Sequence, residues 1–199
     1  MLPKIEKLIK ALKADSESRS ASAIDELVRL KEPSIIPELL PWLFEWTDAP
    51  TASAERAIKV LSAFGERPII FTKLMRRLKS RKPDDRIAAA WALSHSPYRN
   101  ALPALKIQSA RDSNENAKVF AFHALKALAW AHPDMERKIV DILLPGAKSS
   151  KPGIRRAALE CLSHLKDPRC GAAIAHAAND ADPIIKALIS SWKAQRGPQ

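Results

Sequence analysis

Apolar residues recur along this chain at offsets of three, four, seven and ten from a series of regularly spaced anchors. From Ser20 the offsets give Ala23, Ile24, Leu27 and Leu30; from Ala54 they give Ala57, Ile58, Leu61 and Phe64. From Arg86 they give Ala89, Ala90, Leu93 and Ser96, and from Lys118 they give Ala121, Phe122, Leu125 and Leu128. Arg155 completes the series with Ala158, Leu159, Leu162 and Leu165. Such offsets put side chains on one side of an α-helix, so each set predicts a helix with a single apolar stripe. The anchors lie 34, 32, 32 and 37 residues apart, and Lys186 opens a degraded copy 31 residues further on. A period of this length in helix-only sequence is the mark of a stacked helical repeat.

Between these first helices the pattern places second helices at "PSIIPELLPWLFEW", "ERPIIFTKLMRRLKS", "ALPALKIQSARD", "PDMERKIVDILL" and "DPRCGAAIAHAAND", while "PKIEKLIKALKA" caps the N-terminal end. The expected architecture is all-α: a short right-handed α-solenoid of five to six helix pairs, with ten or eleven helices and no strand. It forms one domain over residues 1–199, with repeats near 15–48, 49–82, 83–114, 115–150 and 151–180 and a last copy at 181–199. First helices are expected to start near residues 18, 52, 84, 115, 153 and 183. Most of the fifteen prolines, Pro33, Pro50, Pro83, Pro133, Pro152, Pro168 and Pro183 among them, fall where helices begin, and proline suits a first turn.

One repeat echoes another closely: "KPDDRIAAAWALSHSP" from Lys82 returns as "KPGIRRAALECLSHLKDP" from Lys151. With "DDRIAAAWAL" and "GIRRAALECLSHLKDP" carrying it best, the pattern resembles HEAT repeats of the short bacterial kind, over residues 15–195. That resemblance implies a curved binding scaffold whose concave side is lined by the second helices. It carries no catalytic residues over to this chain.

Charge adds a direction to the binding idea. The net charge of +11 divides into +3 for residues 1–13 and −5 for residues 14–50, leaving +13 for the remainder. The strongest excess is "KLMRRLKSRK", where Lys73, Arg76, Arg77, Lys79, Arg81 and Lys82 stand without an acid. A field of this sign gathers anionic partners, an acidic protein surface first and nucleic acid as the alternative. The anchor column Arg86, Lys118, Arg155 and Lys186, with Arg156 beside Arg155, forms a basic ladder that could join such a surface. Equally, each anchor base could bond an Asp or a helix end of the adjacent repeat.

Two aromatics complete the candidate contact set. Trp91 sits five residues after its anchor, on the side opposite the apolar stripe, where the other first helices carry Asp25, Lys59, His123 and Glu160. Trp130, twelve after its anchor, points the same way if its helix runs that far. Both are read as exposed contact residues, whereas Trp42 and Trp46 are read as core or end-cap.

No catalytic or cofactor constellation is legible. Cys161 and His164 have metal-like spacing but no second pair to complete a tetrahedral site, so no metal or cofactor is assigned. The five histidines are dispersed over different repeats, five glycines supply no phosphate loop, and no small-molecule substrate is evident. The chain is similar in size and charge to HEAT-like alkylpurine DNA glycosylases but lacks their paired tryptophans followed by a catalytic aspartate. The likeness to HEAT-type bilin lyases rests on the repeat alone. Apolar runs are too short for a membrane span, which takes about 18 residues. The lysine-threaded N-terminus is no signal peptide, and two cysteines outside any disulfide pattern point to the reducing cytoplasm. The expected function is a non-enzymatic scaffold.

Overall fold

The computed structural model describes residues 3–14 and 16–196, with side chains given through residue 192. Twelve α-helices occur among the described residues: α1 Pro3–Leu12, α2 Glu17–Leu30, α3 Ile35–Leu39, α4 Ala52–Ser62, α5 Pro68–Leu78, α6 Pro83–His95, α7 Leu102–Arg111, α8 Glu115–Ala131, α9 Glu136–Leu143, α10 Pro152–Ser163, α11 Pro168–His176 and α12 Pro183–Arg196. The number exceeds the ten or eleven expected. The class is all-α as the pattern predicts, with no strand among the described residues and one isolated backbone bridge between Trp46 and Pro50.

First helices begin at Glu17, Ala52, Pro83, Glu115, Pro152 and Pro183, each within one residue of its expected start. Local chemistry explains this precision. Thr51 and Asn114 accept hydrogen bonds from the backbone N–H groups of Ala54 and Ala117 at 3.2 and 3.0 Å, which satisfies donors the helix leaves open. At α6, α10 and α12 a proline occupies the first helical position, where its missing N–H costs nothing. The second helix of the first repeat is shorter than expected. Pro41 interrupts it, and the chain continues as a 3₁₀ turn over Leu40–Phe44.

The chain divides into two compact units, one ending at Tyr98 and one beginning at Arg99. In the first, α1–α6 enclose Leu12, Leu27, Leu39, Leu61, Leu74 and Leu93. Tyr98 closes this unit, its hydroxyl donating to the Gly65 carbonyl at 3.1 Å. Gly65 stands at φ +66 in the turn between α4 and α5, a left-handed conformation that favours glycine. In the second unit α8 and α10 pack side by side, and Ala121, Leu125, Leu128 and Leu162 on them are buried. Its far end is a smaller cluster of Leu159, Ile174, Ile185 and Ile189, with Trp192 packed against it. Every stripe leucine at offset seven is buried. Leu30 and Ser96, at the ends of their stripes, are not fully covered.

Candidate binding surfaces

The echoed sequence is a turn lock. Ser80 Oγ accepts from the Lys82 N–H at 3.2 Å, and Ser149 Oγ accepts from the Lys151 N–H at 3.3 Å. Proline then starts the helix, and the anchor arginine reaches back over the turn. Arg86 Nη1 donates to the carbonyls of Ser80 and Arg81 at 3.0 and 3.1 Å; Arg155 Nη1 does the same to Ser149 and Ser150 at 2.9 and 3.1 Å. Lys118 Nζ donates to the Ala110 carbonyl at 3.1 Å. In the second repeat, where the anchor is Ala54, Arg56 instead reaches the earlier turn between α1 and α2, donating to the carbonyls of Leu12 and Ala14. These carbonyls are open acceptors at or just after a helix end, and a cation satisfies both their hydrogen bonding and their negative dipole.

Arg155 does more. It also binds Asp180 through two hydrogen bonds, so the anchor bases Arg86, Lys118 and Arg155 hold the repeat closed. Arg156, next to the anchor, is exposed on α10.

The run on α5 behaves differently. Arg77 is drawn inward, pairing with Asp85 at 2.6 Å and lying over the Phe44 ring at 4.6 Å. Burial opposes ionisation of Asp85, but bonds from the Ser80 hydroxyl and the Arg77 guanidinium win and hold its carboxyl below the usual range. Among the described residues, Lys73, Arg76, Lys79, Arg81 and Lys82 have no acidic side chain within ion-pair distance. Lys73, Arg76 and Lys79 line a concavity of about 530 Å³ with Ser80 and Asp85. On the N-terminal side, Lys73 and Arg76 also border a groove of about 550 Å³ whose other walls are Pro37, Leu40, Pro41, Pro68, Ile69 and Thr72. Ile69 is 52% exposed there. One face of α5 therefore runs from an apolar floor to a row of cations.

The tryptophans part company. Trp91 is corrected from an exposed contact residue to a buried one, 8% exposed. Trp46 meets it edge-on at 5.9 Å between ring centroids, and the His95 ring covers it at 5.0 Å. The chain leaving the Leu40–Phe44 turn folds over this side of α6, so the column opposite the stripe is not solvent in this repeat. Trp42 is buried, as expected, with Lys13 Nζ 4.7 Å from its ring centre. Trp130 is exposed to 55%, and α8 does extend that far. Its Nε1–H donates to the His164 carbonyl at 3.2 Å, the His164 ring meets it edge-on at 5.8 Å, and Lys126 Nζ lies 5.1 Å from its centre.

Cys161 and His164 point to different neighbours. Cys161 Sγ lies 3.8 Å from His123 Nδ1 in the α8–α10 seam, whereas His164 belongs to Trp130. Burial pushes the Cys161 thiol up to about 12 and the Cys170 thiol up to about 11, so neither is a thiolate nucleophile at neutral pH. Burial also holds His123 below the ordinary histidine value. Among the described residues no three His, Cys, Asp or Glu side chains gather as metal ligands, and no helix is long and apolar enough to cross a membrane.

Residues 102–191 match the family of HEAT repeats. This segment belongs to the HEAT repeats. None of the curated proteins matches the chain significantly. Among solved structures, a chain of the complex of CpcE and CpcF of phycocyanin lyase from Nostoc is similar at 22% identity and TM-score 0.66, with 81% of this chain and 99% of that chain covered. The E. coli YibA protein is similar at 13% identity and TM-score 0.69, covering 92% of this chain and 65% of that one. A chain from the complex of Kap95p with RanGDP aligns at 14% identity and TM-score 0.65, over 94% of this chain and 25% of that chain. At such identities the likeness establishes the HEAT and armadillo type of helical-repeat fold.

Within this HEAT fold the sequence reading missed the apolar groove beside the cations. A signal was present in "RPIIFTKL". Adjacent residues of a helix lie about 100° apart, so Ile69 and Ile70 cannot both face the core. Ile70 is buried and Ile69 is the exposed one.

Proposed function

We propose that this chain is a non-catalytic binding scaffold whose first unit holds an acidic protein partner on the exposed side of α5. The observation that carries the reading is the juxtaposition of Lys73, Arg76 and Lys79 with the groove floored by Leu40 and Ile69. A cation row alone would serve a phosphate backbone equally well. An apolar floor gains nothing from phosphates, whereas a protein segment with leucine or aromatic anchors amid aspartates and glutamates uses both halves. Arg81 and Lys82 extend the positive field beyond the groove and favour fast capture of such a partner. Trp130 is a second contact point, in the other unit, being a large exposed aromatic already flanked by a cation. Support of a general kind comes from relatives in fold: CpcE and CpcF form a complex with each other, and Kap95p binds RanGDP. Two buried free cysteines suit the reducing cytoplasm.

Fluorescence anisotropy with two probes tests the proposal, one an acidic peptide of alternating glutamate and leucine blocks, the other a short DNA duplex. The peptide should bind at physiological salt, and both the charge reversal K73E/R76E and Ile69→Ser should weaken it. Duplex binding at roughly micromolar affinity or tighter at that salt, insensitive to Ile69→Ser, would replace the protein reading with nucleic acid.

A further inference from the structure

The second unit contains a cavity that the scaffold reading does not use. It measures about 730 Å³ and lies between α7 and α9, reaching down to the first helices α8 and α10. Its apolar lining includes Leu102, Phe122, Ile142 and Ile154, drawn from four different helices. Gly146 forms part of the wall. A Cβ there would stand 2.6 Å from Phe122 Cζ and 2.9 Å from Ala158 Cβ, so only glycine lets the Gly146–Lys148 turn sit this close to the Phe122 ring.

Polar groups in the lining are nearly all of one sign. Lys106, Lys118 and Lys138 come from α7, α8 and α9. Asp141 is the single acid, and Arg169 already bonds it at 2.5 Å. Lys118 spends one donor on the Ala110 carbonyl, which leaves its positive charge uncompensated. Lys106 and Lys138 form no ion pair among the described residues. A concavity of this size with an apolar floor and a few convergent charges has the build of a small-molecule site.

We infer that this cavity binds a small amphipathic organic anion, an aromatic or branched aliphatic body carrying one carboxylate. The body replaces water over Phe122, Ile142 and Ile154, while the carboxylate accepts hydrogen bonds from the ammonium groups at the rim. A bare inorganic anion would leave the apolar floor wet. A neutral apolar molecule would leave the lysines unanswered, so the geometry selects both properties together.

Titration of the full chain with anilinonaphthalene sulfonate, followed by fluorescence, provides the test. One saturable site is expected, displaced by indole carboxylate and not by the matching neutral carboxamide. The double substitution K106A/K138A, at two exposed positions, should weaken the probe roughly tenfold or more, in line with lost charge-assisted hydrogen bonds. Ile142→Glu should abolish binding by charging the floor, and circular dichroism of each variant establishes that it is folded. K73E/R76E, in the other unit, should leave the affinity unchanged, so failure here and failure of the protein-partner reading are separate results. Equal displacement by acid and amide, an unaltered affinity in folded K106A/K138A, or no saturable binding would each overturn the inference.

Discussion

Arg155 and Asp180 are joined by two parallel hydrogen bonds, Nε to Oδ2 at 2.9 Å and Nη2 to Oδ1 at 2.7 Å, with both side chains largely out of water. The same guanidinium closes the turn before α10, so one residue bonds both the end of the preceding repeat and the last residue of its own. Asp180→Ala should cost roughly 1.5–3 kcal/mol, the worth of a hydrogen bond to a charged group. Arg155, together with the Asp182 backbone N–H, holds the Asp180 carboxyl below the ordinary range. A lowered folded value means that the bond's stabilisation is complete above the unfolded aspartate value, about 3.9, and fades as pH falls through the folded one. Urea titrations should therefore find the full difference between wild type and Asp180→Ala at neutral pH and a shrinking one under acid. A constant difference down to the acid end would remove the pair from the account of stability.

The leucines at offset seven measure the repeat itself. Leu93, Leu125 and Leu162 are buried at equivalent places in three repeats, each following an alanine of its stripe by four residues. Leu→Ala at any of them should cost roughly 2–5 kcal/mol by denaturant titration. Similar losses at all three are expected, because the surrounding geometry recurs.

What the sequence made legible was what the chain decides locally. The start of α6 is written in Lys82 and Pro83, and that of α8 in Asn114, so both could be placed to within a residue. The apolar stripes follow from helical periodicity and needed no knowledge of neighbours. Trp91 failed for the opposite reason. Whether the side opposite the stripe meets solvent depends on what crosses it, and here Trp46, 45 residues earlier, provides the cover. The groove beside Ile69 and the cavity over Phe122 are likewise spaces between helices from separate repeats. No single helix pattern encodes them. The basic anchors were legible as a column, and the structure spends them on turn carbonyls.

Trp91 and Trp130 now carry opposite expectations. Trp91→Ala removes a buried indole from between Trp46 and His95 and should destabilise the fold by roughly 3–5 kcal/mol. Trp130→Ala removes an exposed ring with one hydrogen bond, one ring contact to His164 and one cation contact, and should cost about 1 kcal/mol or less. Thermal denaturation of the two single variants, run side by side, checks the assignment. Equal losses would mean that Trp130 is a packing residue and would withdraw it as a contact point.

Two glycines offer the sharpest check on the packing of the second unit. Gly153 lies in the first turn of α10, where an added Cβ would meet nothing within 4 Å. Gly153→Ala should be neutral or stabilising by about 0.5–1 kcal/mol, since alanine restricts the unfolded chain and favours helix. Gly146 is hemmed in by the Phe122 ring and the Ala158 methyl, at 2.6 and 2.9 Å from where its Cβ would stand. Phe122 is buried and Ala158 belongs to a packed helix, so neither can withdraw without moving its neighbours. Gly146→Ala should accordingly cost about 1–3 kcal/mol, the usual range for overpacking. The two substitutions add the same methyl group, so a comparison of their urea midpoints isolates the effect of space from that of residue type. If Gly146→Ala were as stable as Gly153→Ala, the Gly146–Lys148 turn would not be pinned against Phe122, and the wall of the cavity would have to be redrawn.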